Sequence, residues 1–286
     1  MNTVIENENL KLQISTFGAE IQQIINKKNN KNYLWYGDKA FWGRRAPVLF
    51  PVVGALKNKE YIYNNEKYSM GQHGFSRDME FELIEKTNST AIYELNSSEE
   101  TLKKYPFKFS LKIKYELLKN TIKVNWKVEN IDNKKMYFSI GAHPAFLVPI
   151  EKREECFVKF DSENELEMTQ LKNGLANGKS KIITENGYLK LEKDLFESDA
   201  LIFENNQVKE VSLCMPTKEE YVKVKFKSPL VAIWSPYKEN CPFVCIEPWY
   251  GRCDSIDFEE DLTKRQWQQN LLPNEKFEAS YEIVID

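Results

Sequence analysis

The sequence has little of several features that mark common protein classes. Its 286 residues include only 5 cysteines and 2 histidines, and 40 Lys and Arg residues nearly balance 43 Asp and Glu residues. This balance gives no single-sign field for a polyanion or an anionic membrane surface, so we expect no nucleic-acid partner. The longest nearly apolar run, 46–56, contains two prolines and a glycine. It falls well short of the roughly 20 residues that span a bilayer, so we expect no membrane segment.

The N-terminus and the cysteines favour the same compartment. The first ten residues are polar and lack the apolar stretch of a secretory signal, which predicts a cytoplasmic protein. An odd and sparse set of cysteines suits free thiols better than a disulfide framework. Cys241, Cys245 and Cys253 are close in sequence, but a structural zinc site usually shows a second Cys/His pair. We therefore predict buried thiols and no metal site.

The most prominent pattern in the sequence is the alternation of apolar and polar residues with a period of two. Apolar residues alternate over 107–117 and again over 122–128, with Lys119-Asn120 between them. This pattern predicts a long antiparallel hairpin with one buried face. The same alternation at 222–227 and 277–285 indicates strands up to the end of the sequence. Because no βαβ rhythm appears, we predict an all-β chain, with residues 1–286 as a single domain built from large antiparallel sheets.

Shorter segments give weaker patterns. Residues 61–65 (YIYNN) predict a tight hairpin, because Asn tolerates the backbone angles of the turn. Residues 97–100 (SSEE) resemble a capped helix start that must end before Pro106. The stretch 263–272 predicts one or two helical turns, and the polar stretch 161–186 predicts a long excursion between strands.

Both histidines lie in unusual local sequences. His73 lies in GQHGF and His143 in GAHPAF. Glycine lets the backbone approach a ligand closely, and proline fixes the chain after His143. Histidine is also the side chain whose ordinary pKa is near neutrality. Taken singly, either could be an ordinary histidine with no role in a site.

One carboxylate and one arginine pair are comparable candidates. Glu247, in VCIEPWYG, follows an apolar run and precedes a proline, where a buried carboxylate needs a partner or a function. Arg44-Arg45 precedes the core segment APVLFP, where a guanidinium can bind ligand oxygens or form a surface ion pair. Aromatic side chains can pack on a sugar ring or in the core; the candidates are Trp35, Tyr36, Trp42, Trp249 and Tyr250, with Trp249 preferred because it is next to Glu247.

Together these segments resemble the aldose 1-epimerase (mutarotase) family over nearly the whole chain. The likeness is greatest to its bacterial LacX-like and hexose-6-phosphate-epimerase-like branches. The motifs that carry it are Arg45 before APVLFP, His73 in HGFSRD, Tyr105-Pro106-Phe107, His143 in GAHPAF and Glu247 in CIEPWYG.

The resemblance implies a galactose-mutarotase-like β-supersandwich that needs no metal or organic cofactor and acts on a small sugar. By this likeness His143 is the general acid, Glu247 is the general base, and His73 and Arg45 bind substrate oxygens. Asp199 is similar to a family aspartate that binds sugar hydroxyls, although Asp161 and Asp194 are close in sequence, and Asp199 could also be an ordinary loop acid.

The chemistry of anomer exchange independently requires such residues. Opening a cyclic hemiacetal removes the proton from O1 and donates one to the ring oxygen, so we expect an acid and a base that face each other across the pyranose. Closing the ring on the other face of C1 reverses both roles. His143 and Glu247 supply the pair.

Two other functions stay open on the sequence. Two histidines and a glutamate on an all-β scaffold could form a cupin-like metal triad, although the close His-x-His spacing of such sites is missing. A sugar-binding module could keep the fold and the site without turnover. A phosphorylated sugar would need a cationic pocket, and the available cations are Arg44, Lys57, Lys59, Arg77 and Arg252.

Overall fold

The computed structural model describes residues 1–162 and 165–286. Across these residues the chain has 25 β-strands, one short α-helix and four 3₁₀ segments. Residues 163 and 164, within the polar excursion predicted at 161–186, lie outside the described residues. The all-β prediction is confirmed.

The strands follow one another along the chain as short and medium-length segments. In order they are β1 (Asn2–Glu6), β2 (Leu10–Ser15), β3 (Ile21–Asn26), β4 (Lys31–Asn32), β5 (Val48–Leu49), β6 (Glu60–Tyr63), β7 (Glu66–Ser69), β8 (Glu82–Lys86), β9 (Thr90–Asn96), β10 (Phe109–Leu118), β11 (Thr121–Asn130), β12 (Met136–Phe138), β13 (Ile140–Ala142), β14 (Ala145–Leu147), β15 (Phe157–Phe160), β16 (Glu165–Lys172), β17 (Leu175–Ile183), β18 (Tyr188–Lys190), β19 (Leu201–Phe203), β20 (Glu210–Cys214), β21 (Glu220–Phe226), β22 (Leu230–Trp234), β23 (Phe243–Tyr250), β24 (Gln269–Leu271) and β25 (Lys276–Ile285). The α-helix α1 is Glu99–Lys104, and the 3₁₀ segments are Lys57–Lys59, Ser76–Asp78, Ile150–Glu155 and Leu262–Lys264.

Two large antiparallel sheets form the body of the fold. The nine-stranded sheet has the order β18-β15-β20-β21-β25-β11-β10-β9-β8. The eight-stranded sheet runs β17-β16-β19-β22-β23-β13-β5, with β14 also paired to β23. A four-stranded sheet of β1 to β4 and two small ribbons, β6-β7 and β12-β24, complete the chain.

The two large sheets pack face to face. Trp126 of β11 lies 6.4 Å from Tyr250 of β23, and Phe160 of β15 lies 5.1 Å from Phe203 of β19, measured between ring centroids. One continuous apolar cluster takes side chains from both sheets. Burial of this apolar area is the main favourable term in the folding free energy. The arrangement confirms the predicted sandwich of large antiparallel sheets.

The alternating segments form the predicted hairpins. Strands β10 and β11 pair along their whole length, with Ile113 opposite Trp126. Asn64 and Asn65 both have positive φ, which is the two-residue turn that joins β6 to β7. The helix α1 begins after Ser98, whose side chain accepts a hydrogen bond from the Thr101 backbone N–H. All five cysteines are free and buried, as predicted.

Two predictions on the local structure are wrong. The stretch 161–186 is not a plain excursion, because β16 and β17 form an antiparallel hairpin within it. Most β17 side chains are exposed at the sheet edge, so the sequence has no apolar alternation there. The pair Asn173-Gly174, with positive φ at both residues, is the turn pattern that indicates this hairpin.

The second wrong prediction is the helix at 263–272. Only a 3₁₀ turn at Leu262–Lys264 forms, capped by the Asp261 carboxylate, which accepts from the Thr263 backbone N–H. The chain then pairs as β24 with β12. An isolated helix of this length is unstable, and pairing with β12 satisfies the backbone groups instead.

The central strand β23 explains where a site can form. It is buried on both faces: Val244 and Ile246 point into the core between the sheets, whereas Cys245, Glu247 and Trp249 point to the opposite face. Loops cover that opposite face of the eight-stranded sheet. Among the described residues, no helix has the length and apolar character needed to cross a membrane.

Candidate active site

A cavity of about 400 Å³ opens on the loop-covered face of the eight-stranded sheet. Its floor comes from β22, β23 and the segment after β13, and its walls come from loops and from residues of β16 and β19. The residues that line it are Trp42, Arg44, Gly54, Gln72, His73, Arg77, His143, Leu171, Gly174, Asp199, Ala200, Ile202, Trp234, Glu247, Trp249 and Cys253. Five of the six predicted site residues are in this group, and Arg45 is not.

His143 and Glu247 lie side by side at the floor. The Nε2 atom of His143 is 3.2 Å from Oε2 of Glu247, and the two residues are 6% and 1% exposed. Apart from this contact, Glu247 Oε2 has no hydrogen-bond partner among the described residues, and neither has His143 Nδ1. Buried polar atoms are almost always hydrogen-bonded, so two unpartnered atoms on adjacent cavity residues mark a candidate functional site.

Burial moves both groups toward their uncharged forms. It raises the pKa of Glu247 well above the ordinary carboxyl value, and the nearby Asp199 carboxylate raises it further. Burial lowers the pKa of His143 to about 3, helped by the charge of Arg77. Both directions follow from the cost of an ion in a poorly solvated site. Both shifts favour a protonated carboxyl group beside a neutral imidazole, a pair that shares one proton.

His73 is oriented by a backbone clamp. Its Nδ1 accepts a hydrogen bond from the Gly54 N–H at 3.1 Å, and the backbone N–H of His73 donates to the Gly54 carbonyl. The neutral ring therefore carries its proton on Nε2, which leaves that N–H free to donate to a ligand oxygen. Burial, and next the charge of His143, hold the pKa of His73 well below its ordinary value.

The glycine after His73 is required by the turn. Gly74 has φ +72°, and a Cβ at this position would lie 2.2 Å from the Phe50 carbonyl oxygen. The HG pair in the sequence thus reflects a close backbone approach that presents the imidazole to the cavity.

Trp249 lines the cavity together with Glu247. Its indole N–H donates to the Ala142 carbonyl at 3.2 Å, and its ring packs on the backbone of Gly141. A Cβ at Gly141 would lie 2.6 Å from Trp249 Cδ1. The glycine in GAHPAF therefore allows the ring to approach β13 closely.

Gly141→Ala should overpack this contact and lower the free energy of unfolding by about 1–3 kcal/mol. Urea unfolding followed by circular dichroism measures the change. Gly71→Ala is the matched control, because nothing lies within 4 Å of a Cβ there, and its effect should stay within about 0.5 kcal/mol. Equal stability of both variants would contradict the contact.

Asp199 lies on the loop before β19 in a strained backbone conformation. Its φ is +81°, which non-glycine residues rarely adopt, and its carboxylate accepts from the Ala200 N–H at 2.9 Å. Burial raises its pKa, against a lowering by hydrogen bonds from Ala200 and Trp234. Such strain concentrates at functional sites. The structure thus brings Asp199 to the cavity that contains Glu247, whereas Asp161 and Asp194 do not line it.

Arg45 does not join the group. Its guanidinium donates to the Gln22 carbonyl at 3.0 Å, on the side of the four-stranded sheet. The neighbouring Arg44 lines the cavity instead, together with Arg77. Both contact a single carboxylate, Asp78, which Arg44 binds at 2.9 Å, so the cavity mouth has an excess of positive charge. Burial, and next Arg44, lower the pKa of Arg77 to about 10.

Other candidate cations and aromatics have structural positions. Lys57 pairs with Glu259, and Arg252 pairs with Glu204 beneath the loops. Trp35 is fully buried in the core and Tyr36 is exposed elsewhere, whereas Trp42 stacks on His143 with ring centroids 4.7 Å apart. Trp234 also lines the cavity and was not predicted, because β22 is apolar on both faces and its sequence does not show which side faces a site.

One group of side chains has the spacing of metal ligands. His143, Cys245 and Glu247 each offer a ligand atom, and all three atoms lie within 4.8 Å of one another. Within the described chain His73 is not part of it, and its Nδ1 is occupied by the Gly54 N–H. The geometry therefore differs from the two-histidine triad of the cupin-like hypothesis.

Comparison with known proteins agrees with the fold and identifies the family. The family model described as Aldose 1-epimerase matches residues 1–278. The plasmid-encoded protein LacX of Lactococcus lactis subsp. lactis is 28% identical over 299 residues, which covers 100% of this chain and 99% of LacX.

Solved structures are similar over the same length. A galactose mutarotase related enzyme from Lactobacillus acidophilus is 35% identical with a TM-score of 0.95, covering 100% of this chain and 97% of that one. A galactose mutarotase-like protein from Lactobacillus casei is 29% identical with a TM-score of 0.93 and full coverage of both chains. With the family model and these relatives spanning nearly its whole length, the chain belongs to the aldose 1-epimerase family.

Proposed function

We propose that this protein is an aldose 1-epimerase, an isomerase that interconverts the α and β anomers of an aldose. The observation that carries the proposal is the buried contact between His143 and Glu247, 3.2 Å apart, at the floor of a sugar-sized cavity. Proton donor and acceptor are the only groups that hemiacetal opening requires.

The pair reaches both reacting oxygens from one side. O1 and the ring oxygen are bonded to the same carbon, C1, so two adjacent groups can serve them without facing each other across the pyranose. This side-by-side geometry replaces the opposed arrangement that we expected from the sequence. The two unpartnered atoms, Glu247 Oε2 and His143 Nδ1, are the polar atoms that a bound sugar would satisfy.

The proton count of the pair matches the reaction. Transfer of its single proton from the carboxyl group to the imidazole gives a carboxylate and an imidazolium. Glu247 then accepts the O1 proton while His143 protonates the ring oxygen, which breaks the bond from C1 to that oxygen and leaves the open-chain aldehyde. Rotation about the C1–C2 bond and the reverse transfers close the ring as the other anomer.

The remaining cavity residues hold the sugar in this position. The Nε2–H of His73 donates to one ring substituent, and the Asp199 carboxylate accepts from sugar hydroxyls. Trp42, Trp234 and Trp249 offer apolar faces for ring C–H groups. Burial of His143 and Glu247 strengthens each polar interaction at this floor.

The primary test is the rate of anomer exchange on a panel of aldoses, followed by polarimetry or NMR exchange spectroscopy. We expect catalysis above the spontaneous rate for at least one aldose. A sugar that binds without any change in its exchange rate would identify a binding module instead and would contradict the proposal.

A second candidate substrate class is favoured by the two arginines at the cavity mouth. Arg44 and Arg77 share the one carboxylate of Asp78, and Arg77 Nε has no hydrogen-bond partner among the described residues. Guanidinium groups bind phosphate in a bidentate manner. An aldose that carries a phosphate would place the anion there and its C1 at the floor.

Arg77→Gln should lower kcat/KM for a phosphorylated aldose by roughly 10- to 100-fold, the effect of losing a charged hydrogen bond. The value for the unphosphorylated sugar should change little. Lys59→Gln is the matched control, because this exposed lysine does not line the cavity and its loss should leave both values unchanged. Equal losses on both sugars would contradict a phosphate role.

Prolonged treatment with EDTA should not lower the exchange rate, because the proposed reaction needs only proton transfers. Metal content and rate are measured together on the same sample. A stoichiometric transition metal whose removal abolishes turnover would favour the metal-enzyme alternative.

A further inference from the structure

Three side chains with metal-binding atoms converge at the floor of the cavity. His143 contributes a nitrogen, Cys245 a sulfur and Glu247 an oxygen, and all three residues are buried. Cys245 and Glu247 are two residues apart on β23, so the strand places both on the same face. This combination of donor atoms is the one that Zn²⁺ prefers in proteins.

The distance between the nitrogen and oxygen ligands suits a tetrahedral ion. Bonds of about 2.0–2.1 Å from Zn²⁺ to nitrogen and oxygen place two such ligands about 3.4 Å apart. His143 Nε2 and Glu247 Oε2 are 3.2 Å apart, and the third ligand atom lies within 4.8 Å of both. A small movement of the side chains would close the set around one ion.

Although the charges of Arg77 and Arg44 act on His143, the unpartnered atoms and the carboxylates at the floor favour a cation. Glu247 Oε2 and His143 Nδ1 have no other hydrogen-bond partner in the described chain, and both residues are more than nine-tenths buried. No Lys or Arg side chain of the described residues forms an ion pair with Glu247, and Asp199 adds a second carboxylate close by. Buried carboxylates without a cationic partner are costly unless protonated or metal-bound.

We propose that His143, Cys245 and Glu247 form a binding site for Zn²⁺ or a similar thiophilic divalent metal, and that the bound ion inhibits the protein. Three protein ligands leave the fourth position open toward the cavity. The ion would occupy the carboxylate and the imidazole that the proton transfers use. The inhibition rests on the proposed epimerase function, whereas metal binding does not.

Cys245 separates metal binding from catalysis. Its thiol is fully buried behind the pair and does not line the cavity, so it has no contact with a bound sugar. It has no role in the proposed proton transfers. Removal of this one sulfur therefore takes a ligand from the metal and leaves the acid and the base in place.

The binding test uses Co²⁺ as a spectroscopic probe of the chelator-treated protein. One equivalent should produce the visible bands of tetrahedral Co²⁺ and a thiolate-to-metal charge-transfer band, and Zn²⁺ should displace it. Cys245→Ala should lose the charge-transfer band and weaken Zn²⁺ affinity by roughly 100-fold or more, above the usual cost of losing an indirect contact. Cys214→Ala, which removes an equally buried thiol on β20, should keep both.

The rate test measures anomer exchange with and without Zn²⁺, relative to the metal-free rate of each variant. Zn²⁺ should inhibit the wild type and Cys214→Ala but not Cys245→Ala at the same concentration. Absence of the charge-transfer band, or Zn²⁺ affinity unchanged by Cys245→Ala, would overturn the site. A Zn²⁺-bound protein with an undiminished rate would overturn the inhibition. A protein that binds metal as expected but never exchanges anomers would support the site and contradict the epimerase function.

Discussion

Replacement of Glu247 by glutamine should lower kcat by roughly 10²-fold or more and change KM little. Glutamine keeps the size of the side chain and can still contact His143, which lies 3.2 Å away. It cannot accept the O1 proton, so the loss falls on the transition state and not on sugar binding. Progress curves of anomer exchange, corrected for the spontaneous reaction, give both constants.

The control is a second acid in the same cavity. Asp199→Asn removes that carboxylate charge without new backbone strain, because asparagine tolerates the φ of +81°. Its effect should appear mainly in KM, since Asp199 is proposed to bind hydroxyls. Near-normal kcat in Glu247→Gln, with a large loss of kcat in Asp199→Asn, would move the base from Glu247 to Asp199.

How far the sequence predicts the fold depends on which faces of a strand touch water. Strands β10, β11 and β25 bury one face and leave the other partly exposed, so their apolar alternation is visible. Strand β22 lies in the middle of the eight-stranded sheet with nearly every residue buried, and β17 is mostly exposed. Neither situation produces alternation. The sequence therefore indicates the nine-stranded sheet more clearly than the eight-stranded sheet that carries the cavity.

The site residues divide in the same physical way. His73 and His143 were identifiable because Gly74 and Gly141 mark close contacts with Phe50 and Trp249, which leave a trace in the sequence. The sequence carries no such trace that would distinguish Arg44 from Arg45. Adjacent side chains point in different directions, and both residues are arginine. Arg45 was placed in the site, and its guanidinium instead binds the Gln22 carbonyl.

The pH dependence of the rate follows from the directions of the two pKa shifts. The active pair holds one proton, so activity falls in acid where the pair gains a second proton and in base where it loses the first. Burial lowers the pKa of His143 and raises that of Glu247. The acid limb of kcat/KM should therefore lie well below the value near 6.5 of a free imidazole. Both limbs belong to the coupled pair and not to either residue alone.

The two histidines should differ sharply when each is changed to asparagine. His143→Asn removes the proton donor and should lower kcat by roughly 10²–10⁴-fold. Only Glu247 of the pair then titrates. The activity of the His143→Asn variant should therefore rise as this carboxyl group ionises and show no alkaline limb. His73→Asn loses a hydrogen bond that the sugar makes in both ground and transition states, so a cost of about 1–3 kcal/mol should fall partly on KM.

The pH profile decides between the two assignments even if both variants lose activity. Since burial holds the pKa of His73 well below its ordinary value, this ring does not account for the alkaline limb, and its loss should preserve that limb. The rates must exceed spontaneous exchange at every pH, so high enzyme concentrations are needed for His143→Asn. If His73→Asn instead abolishes the alkaline limb and His143→Asn changes only KM, then the acid is His73 and His143 is the residue that binds the sugar.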